Sequence, residues 1–348
     1  MATAISRERT AAQAENPAKA ERSDRPDESD WRNIFGGLRQ GQIHPEGWYA
    51  VALSSEVEPG RITGRPFLNG RVAIYRKRSG EPVVVTAFCP HMGSDLASGA
   101  IVGDELRCNY HHFRFGPDGR CAGVPGNNRI PPGAALFSYP TTERFGLVWA
   151  YNGETPLFPP PEVRDFPHDG LVSRARRAHV YENVAPWLPI GNTFDFLHLR
   201  HVHALGFDFD FDRIRWGAHE AEYEIDFDSP DMGRIEQRIR VTGTNISTHV
   251  TVGSSTTVGV TTATPVGTSL ELYMVACAPK DATRTPESID AELREQERFV
   301  DNLLADDIRV MTGIAFRAGT FLQEDQPMAR WLRWVHAFPV ADPAARYR

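Results

Sequence analysis

One short stretch, "CPHMGSDLASGAIVGDELRCNYHHF" (residues 89–113), holds four side chains of the types that bind transition metals. Cys89 and His91 form a Cys-x-His pair, and after sixteen intervening residues Cys108 and His111 form Cys-x-x-His. Two thiolates and two imidazoles suit a tetrahedral zinc ion, but zinc ligand pairs are usually two to four residues apart. The single residue between Cys89 and His91 would crowd one ion. A two-iron, two-sulfide centre removes that difficulty: both thiolates bind one iron and both imidazoles the other, so each pair straddles two metals. The spacing favours this cluster over zinc. Such a cluster passes single electrons and transforms no substrate itself, so the remainder of the chain must offer the electrons a destination.

The elements around the stretch are of the kind that can present two such loops. Between Trp48 and about Tyr151, β-type runs ("GWYAVAL", "RVAIYR", "PVVVTAFC", "FGLVWAY") alternate with turns such as "PDGR" and "PGNNR", predicting an all-β unit. Pro90, Gly93, Gly103, Gly116 and Pro117 fit tight turns at its tip. The proline cluster "PLFPPPEVRDFP" (156–167) interrupts regular structure, and "NTFDFLHLRH" beyond it reads as a helix. Strands with period-two alternation follow; in "EYEIDFD", Tyr223, Ile225 and Phe227 face one way and the acids the other. From Pro286 to about Ala318 the period becomes helical, with Ile289, Leu293, Val300, Leu304, Met311 and Ile314 on one side. The expected division is a disordered tail at 1–30, a cluster-bearing unit at 31–155 and a second unit at 156–348.

Composition narrows the setting. A net charge of -7 over 348 residues, with no basic run, argues against nucleic acid or an anionic membrane as partner, and no apolar stretch is long enough to cross a bilayer. Four cysteines are too few for a disulfide framework in a chain of this length, which suggests a reducing compartment. Residues 1–30 are polar and carry seven acids, Glu8, Glu15, Glu21, Asp24, Asp27, Glu28 and Asp30, unlike a presequence. Cytoplasm is the expected location.

"FCPHMG", "CNYHHFRFGPDGRC" and "IPPGAALFSYPTTERFGLVWAY", in that order, resemble the N-terminal domain of the Rieske non-haem iron oxygenases. The paired His111 and His112 are similar to a subgroup that includes aminopyrrolnitrin oxygenase, and "DDIRVM" and "LQEDQPMARWLRWVHAF" resemble segments of ketosteroid hydroxylases. The resemblance implies an α+β chain: an all-β Rieske [2Fe-2S] domain, then a catalytic domain of helix-grip type with an antiparallel sheet and long helices. It makes Cys89, His91, Cys108 and His111 the cluster ligands, and gives His112, Cys121 and Cys277 packing roles. "GNTFDFLHLRHVHALGF" (191–207) resembles the mononuclear-iron motif of the same oxygenases, with His198 and His203 as ligands. Spacing alone would prefer His201, three residues from His198 on an unbroken helix; His203 requires the helix to end in between.

A ferrous site of this type takes two histidines and one carboxylate. In "NLLADDIRVM" two aspartates compete. Asp307 has Val300, Leu303, Leu304, Val310, Met311 and Ile314 as its helical neighbours, whereas Asp306 has Asn302, Arg309 and Gly313. A carboxylate on an apolar stripe needs its charge compensated, and a metal ion does this, so Asp307 is the expected ligand. The resemblance assigns Asp195 a bridge between a ligand histidine of the mononuclear iron and a Rieske histidine of a neighbouring subunit, and hence a homotrimer. It further implies Fe(II), O2 as co-substrate, a separate reductase with or without a ferredoxin, and mono-oxygenation of a hydrophobic aromatic or polycyclic molecule. N-oxidation, demethylation and desaturation are accessible to the same site. The competing classes are an electron carrier without oxygen chemistry and a zinc-stabilised binding module. Phenylalanines 207, 209 and 211 in "FDFDFD" are expected to fill core from an amphipathic strand.

Overall fold

The computed structural model describes residues 41–126, 128–205, 209–229, 233–252, 255–316 and 320–347. The tail expected at 1–30, and Phe207, lie outside them. The first unit is built on three small antiparallel sheets, and its His44–Pro45 also pairs with Val340–Ala341. One joins Thr63–Phe67, Gly70–Arg76, Pro82–Thr86 and Ser138–Tyr139; a second joins Trp48–Leu53, Thr141–Arg144 and Leu147–Tyr151. A third, of four strands between Ala100 and Gly123, holds Cys108 and His111 in the loop between its second and third strands, whereas Cys89 and His91 follow Pro82–Thr86. The four β-runs read from the sequence are all strands.

The second unit is built on a seven-stranded antiparallel sheet, whose order runs from the edge strand Leu171–Glu182 through Ser269–Pro279, Ser255–Val266, Asn245–Val252, Gly233–Thr242 and Glu220–Ser229 to Arg215–Trp216. The alternation read in "EYEIDFD" holds, since Tyr223 and Ile225 are buried and Phe227 packs on the same core. Three helices matter to the site: α1 (Phe196–His201), α2 (Pro286–Met311) and α3 (Gln326–His336). Thr285 caps α2, its hydroxyl accepting from the Ser288 N–H, and Pro286 follows in the first turn, where its missing N–H costs nothing. The helix stops at Met311, short of the predicted 318, because Gly313 takes a left-handed φ of 78° and ends the run. Within the described residues 209–212, the "FDFDFD" stretch is not a strand either. Phe211–Arg213 is a 3-10 turn, and the Phe209 ring stacks on Phe196 at 4.9 Å, so packing is retained without a sheet.

The sheet's two faces do different work. On one, Tyr273, Val275, Cys277, Val258 and Val260 share a core with Trp48, Trp149 and Tyr151 of the first unit. The Arg65 guanidinium bonds Glu271 at 2.7 Å across this contact. On the other face, Leu270 and Leu272 pack with Leu304 and Met311 of α2 and Trp331 and Leu332 of α3. The expected α+β architecture, an all-β unit followed by a sheet gripped by long helices, is what the chain adopts.

Candidate metal centres

The cysteine and histidine loops are built alike. In the first, the Cys89 N–H donates to Ser94 O (2.9 Å) and the Gly93 N–H to Cys89 O (2.8 Å). In the second, the Cys108 N–H donates to Phe113 O (2.8 Å) and the His112 N–H to Cys108 O (3.0 Å). Both closures need a left-handed residue four places after the cysteine. Gly93 supplies it with φ 72°, and His112 with φ 58°, a conformation costly for a residue with a Cβ.

These loops turn the thiols inward and the imidazoles outward. Cys89 and Cys108 are buried, His91 is exposed and His111 half-buried, and the two rings meet edge to face at 4.6 Å. The buried Phe113 ring stacks on His91. Burial pushes the Cys89 thiol up to about 11, and the facing Cys108 sulfur adds to this. Burial also opposes a Cys108 thiolate, but N–H groups of Tyr110 and His111 outweigh it and hold that thiol below its ordinary range. A pair of inward thiols served by backbone N–H groups, with two imidazoles at the surface, fits a two-iron cluster. Among the described residues, no three of these four donors lie within 4.8 Å of one another, as one zinc ion would need.

The second cluster of donors depends on a broken helix. "NTFDFLHLRH" is not one helix: Asn192–Phe194 is a 3-10 turn, and Asp195 leaves the helical region at φ -95°, ψ 83°. Its carboxylate accepts from the His198 N–H at 2.9 Å and caps α1. Two turns later α1 closes with Val202 N–H to His198 O (2.8 Å), Leu205 N–H to Leu199 O (3.0 Å) and Ala204 at φ 54°. This reversal swings His203 back over His198, while His201 remains exposed on the outer side.

The His198 and His203 Nε2 atoms lie 3.0 Å apart, and Asp307 Oδ1, from α2, is 2.9 Å from the first and 3.1 Å from the second. The three donor atoms therefore converge on one point, and two imidazoles with one carboxylate are a donor set that suits ferrous iron. With both Nε2 atoms turned to the same point, the ring proton of His203 belongs on Nδ1, which is buried and has no partner.

Asp306 points elsewhere and pairs with Arg309 at 3.0 Å. The apolar stripe invoked for Asp307 is only half as drawn: Leu304 and Met311 are buried, but Val310 and Ile314 are exposed. Asp195 is half-buried, and burial raises its carboxyl above the usual range. Among the described residues its hydrogen bond is to backbone, not to a ring. Two nearby groups carried no sequence assignment. The Asn192 amide lies 3.4 Å from both His198 Nε2 and Asp307 Oδ1, and its place at the head of the motif was the available signal. Tyr181, in the edge strand, is the other, and no local pattern marks it.

Residues 47–140 match the model of the Rieske [2Fe-2S] domain family. The chain carries a Rieske domain. Its fold as a whole is similar to that of dicamba monooxygenase bound to dicamba, at 24% identity and a TM-score of 0.64 over 83% of this chain and 95% of that one. It is likewise similar to the NdmA QL mutant of Pseudomonas putida CBB5 with theobromine, at 18% identity and a TM-score of 0.64 over 89% and 91%. Among curated proteins, the iron-sulfur subunit TsaM1 of the toluene-4-sulfonate monooxygenase system of Comamonas testosteroni is 35% identical over 45% of each chain. The 3-ketosteroid-9-alpha-monooxygenase oxygenase component of Rhodococcus rhodochrous is 35% identical over 34% of this chain and 31% of its own. The chain spans less than half the length of these curated relatives. The resemblance to Rieske non-haem iron oxygenases drawn from the motifs is borne out, and with it the [2Fe-2S] cofactor.

Proposed function

We propose that this chain is the terminal oxygenase of a Rieske system, in which Cys89, His91, Cys108 and His111 hold the [2Fe-2S] cluster and His198, His203 and Asp307 hold Fe(II). The observation that carries the proposal is the convergence of two imidazoles and one carboxylate on a single point in a chain that also bears a Rieske domain. When bound, the cluster supplies single electrons and the ferrous ion supplies oxygen activation beside the substrate. The protein's own contribution is arrangement. Asp195 fixes the start of α1 and with it the His198 ring; Ala204 and Leu205 fix the return that presents His203; α2 delivers Asp307 from the opposite side.

The reading includes the division at residues 155 and 156, a hydrophobic aromatic or polycyclic substrate, and mono-oxygenation as the reaction. Relatives named as oxygenase components support a separate reductase, with or without a ferredoxin. Asp195 as the link to a neighbouring subunit's cluster, and the homotrimer that this needs, belong to the same reading. So does a cytoplasmic location, which four free cysteines support; among the described residues no helix is long and apolar enough to cross a membrane. The test is oxygen uptake by the holoprotein with a generic Rieske reductase across aryl, indolic and steroid compounds. Uptake that rises with one compound class and yields an oxidised product supports the proposal. No compound-dependent uptake by a fully iron-loaded protein counts against it.

A further inference from the structure

The edge strand Leu171–Glu182 contains an irregularity whose effect is to re-aim two side chains. Paired with Ser269–Pro279, it runs in register through Arg176↔Met274 and Arg177↔Tyr273, then resumes at His179↔Leu272 and Tyr181↔Leu270. Ala178 is the extra residue of a β-bulge. Before the bulge, Arg174 and Arg176 face α2, where they pair with Glu297 and Asp301, and Arg177 faces Glu56 and Glu271 on the other side. After it the parity changes. His179 and Tyr181 now share the face of Leu272 and Leu270, the side of the sheet on which Leu304 and Met311 of α2 pack.

Tyr181 is 2% exposed, and its hydroxyl is buried without a hydrogen-bond partner. It shares its core with Val184, Leu270, Leu272, Leu304 and Met311, and the His179 ring meets its own ring edge to face at 4.4 Å. At neutral pH a tyrosine phenol keeps its proton, so the group is an O–H donor. Leaving a buried donor unmade is unfavourable unless the working state supplies an acceptor.

Resting on the oxygenase reading, we propose that Tyr181 determines specificity: its O–H, aimed by the Ala178 bulge, donates to an oxygen acceptor on the substrate. The substrate is then a flat, mainly apolar molecule with a carbonyl, amide or ether oxygen a short distance from the carbon or nitrogen that is oxidised. A site built to bond such an oxygen discriminates against the analogue that lacks it.

The experiment compares iron-loaded wild type with Tyr181→Phe, using buried-tryptophan fluorescence to follow binding of two matched pairs, acetophenone against ethylbenzene and a 3-ketosteroid against its 3-deoxo analogue. The expected result is that the wild type holds the ketone of at least one pair roughly tenfold tighter, the worth of one hydrogen bond. In Tyr181→Phe that preference disappears and iron content is unchanged. The proposal is overturned if the wild type shows no preference, or if the preference survives the substitution. It is also overturned if Tyr181→Phe loses mononuclear iron, since the phenol then supports Asp307 and not the substrate. Absence of mononuclear iron from the wild type is a different result, and sinks the oxygenase reading itself.

Discussion

His112 occupies the position in the second cluster loop that glycine fills in the first. Its φ of 58° against 72° at Gly93, with the same two backbone hydrogen bonds around it, places a Cβ where none is favoured. The exposed ring shows that the side chain is not recruited as an inward donor. His112→Gly should therefore relieve strain worth about 1 kcal/mol after glycine's own entropy is counted, raising the melting temperature of the holoprotein by about 2 °C with the cluster absorbance intact. A loss of that absorbance would instead make His112 a partner of the cluster. At the same scale, the contrast between Asp306 and Asp307 was legible as a pattern of neighbours, yet two of the six apolar neighbours turned out to be exposed. The distinction is carried by which way each side chain points from α2, and that is settled by the sheet beneath the helix.

At the scale of elements, the motif and the helix give opposite advice about His201 and His203, and the helix boundaries decide. The six-residue α1 carries His201 but ends before His203, and the return through Ala204 at φ 54° brings His203 back to His198, while Asp195 caps the other end of the helix. If capping is its structural role, Asp195→Ala should cost about 1 kcal/mol while Asp195→Asn, an equally good cap, costs only a few tenths. Thermal melting of the two holoproteins checks this. Equal destabilisation by both would show that the charge, and not the cap, holds the segment. The Ala178 bulge was not legible. Its consequence lies in the parity of every residue after it, and nothing in "SRARRAHVYE" announces an extra residue before the strands are paired.

For the whole molecule, the two units share one sheet as a common wall. The apolar positions of Ser255–Val266 and Ser269–Pro279 are divided between the Rieske side, through Val258, Val260, Tyr273 and Val275, and the helix side, through Leu270 and Leu272. Period-two alternation in "SLELYMVAC" was visible in the sequence. That both of its faces are buried, against different partners, was not, because burial of the second face comes from residues some two hundred positions earlier. This shared wall sets the cysteine–histidine loops and the three-donor site on a common support. The most direct measurement is iron and acid-labile sulfide per chain in wild type and Asp307→Ala. The expected wild-type values are about three irons and two sulfides, two irons from the cluster and one from the mononuclear site. Asp307→Ala should keep the red-brown colour and both sulfides and lose one iron. Zinc in place of iron, or an Asp307→Ala protein that retains the third iron, would contradict the account.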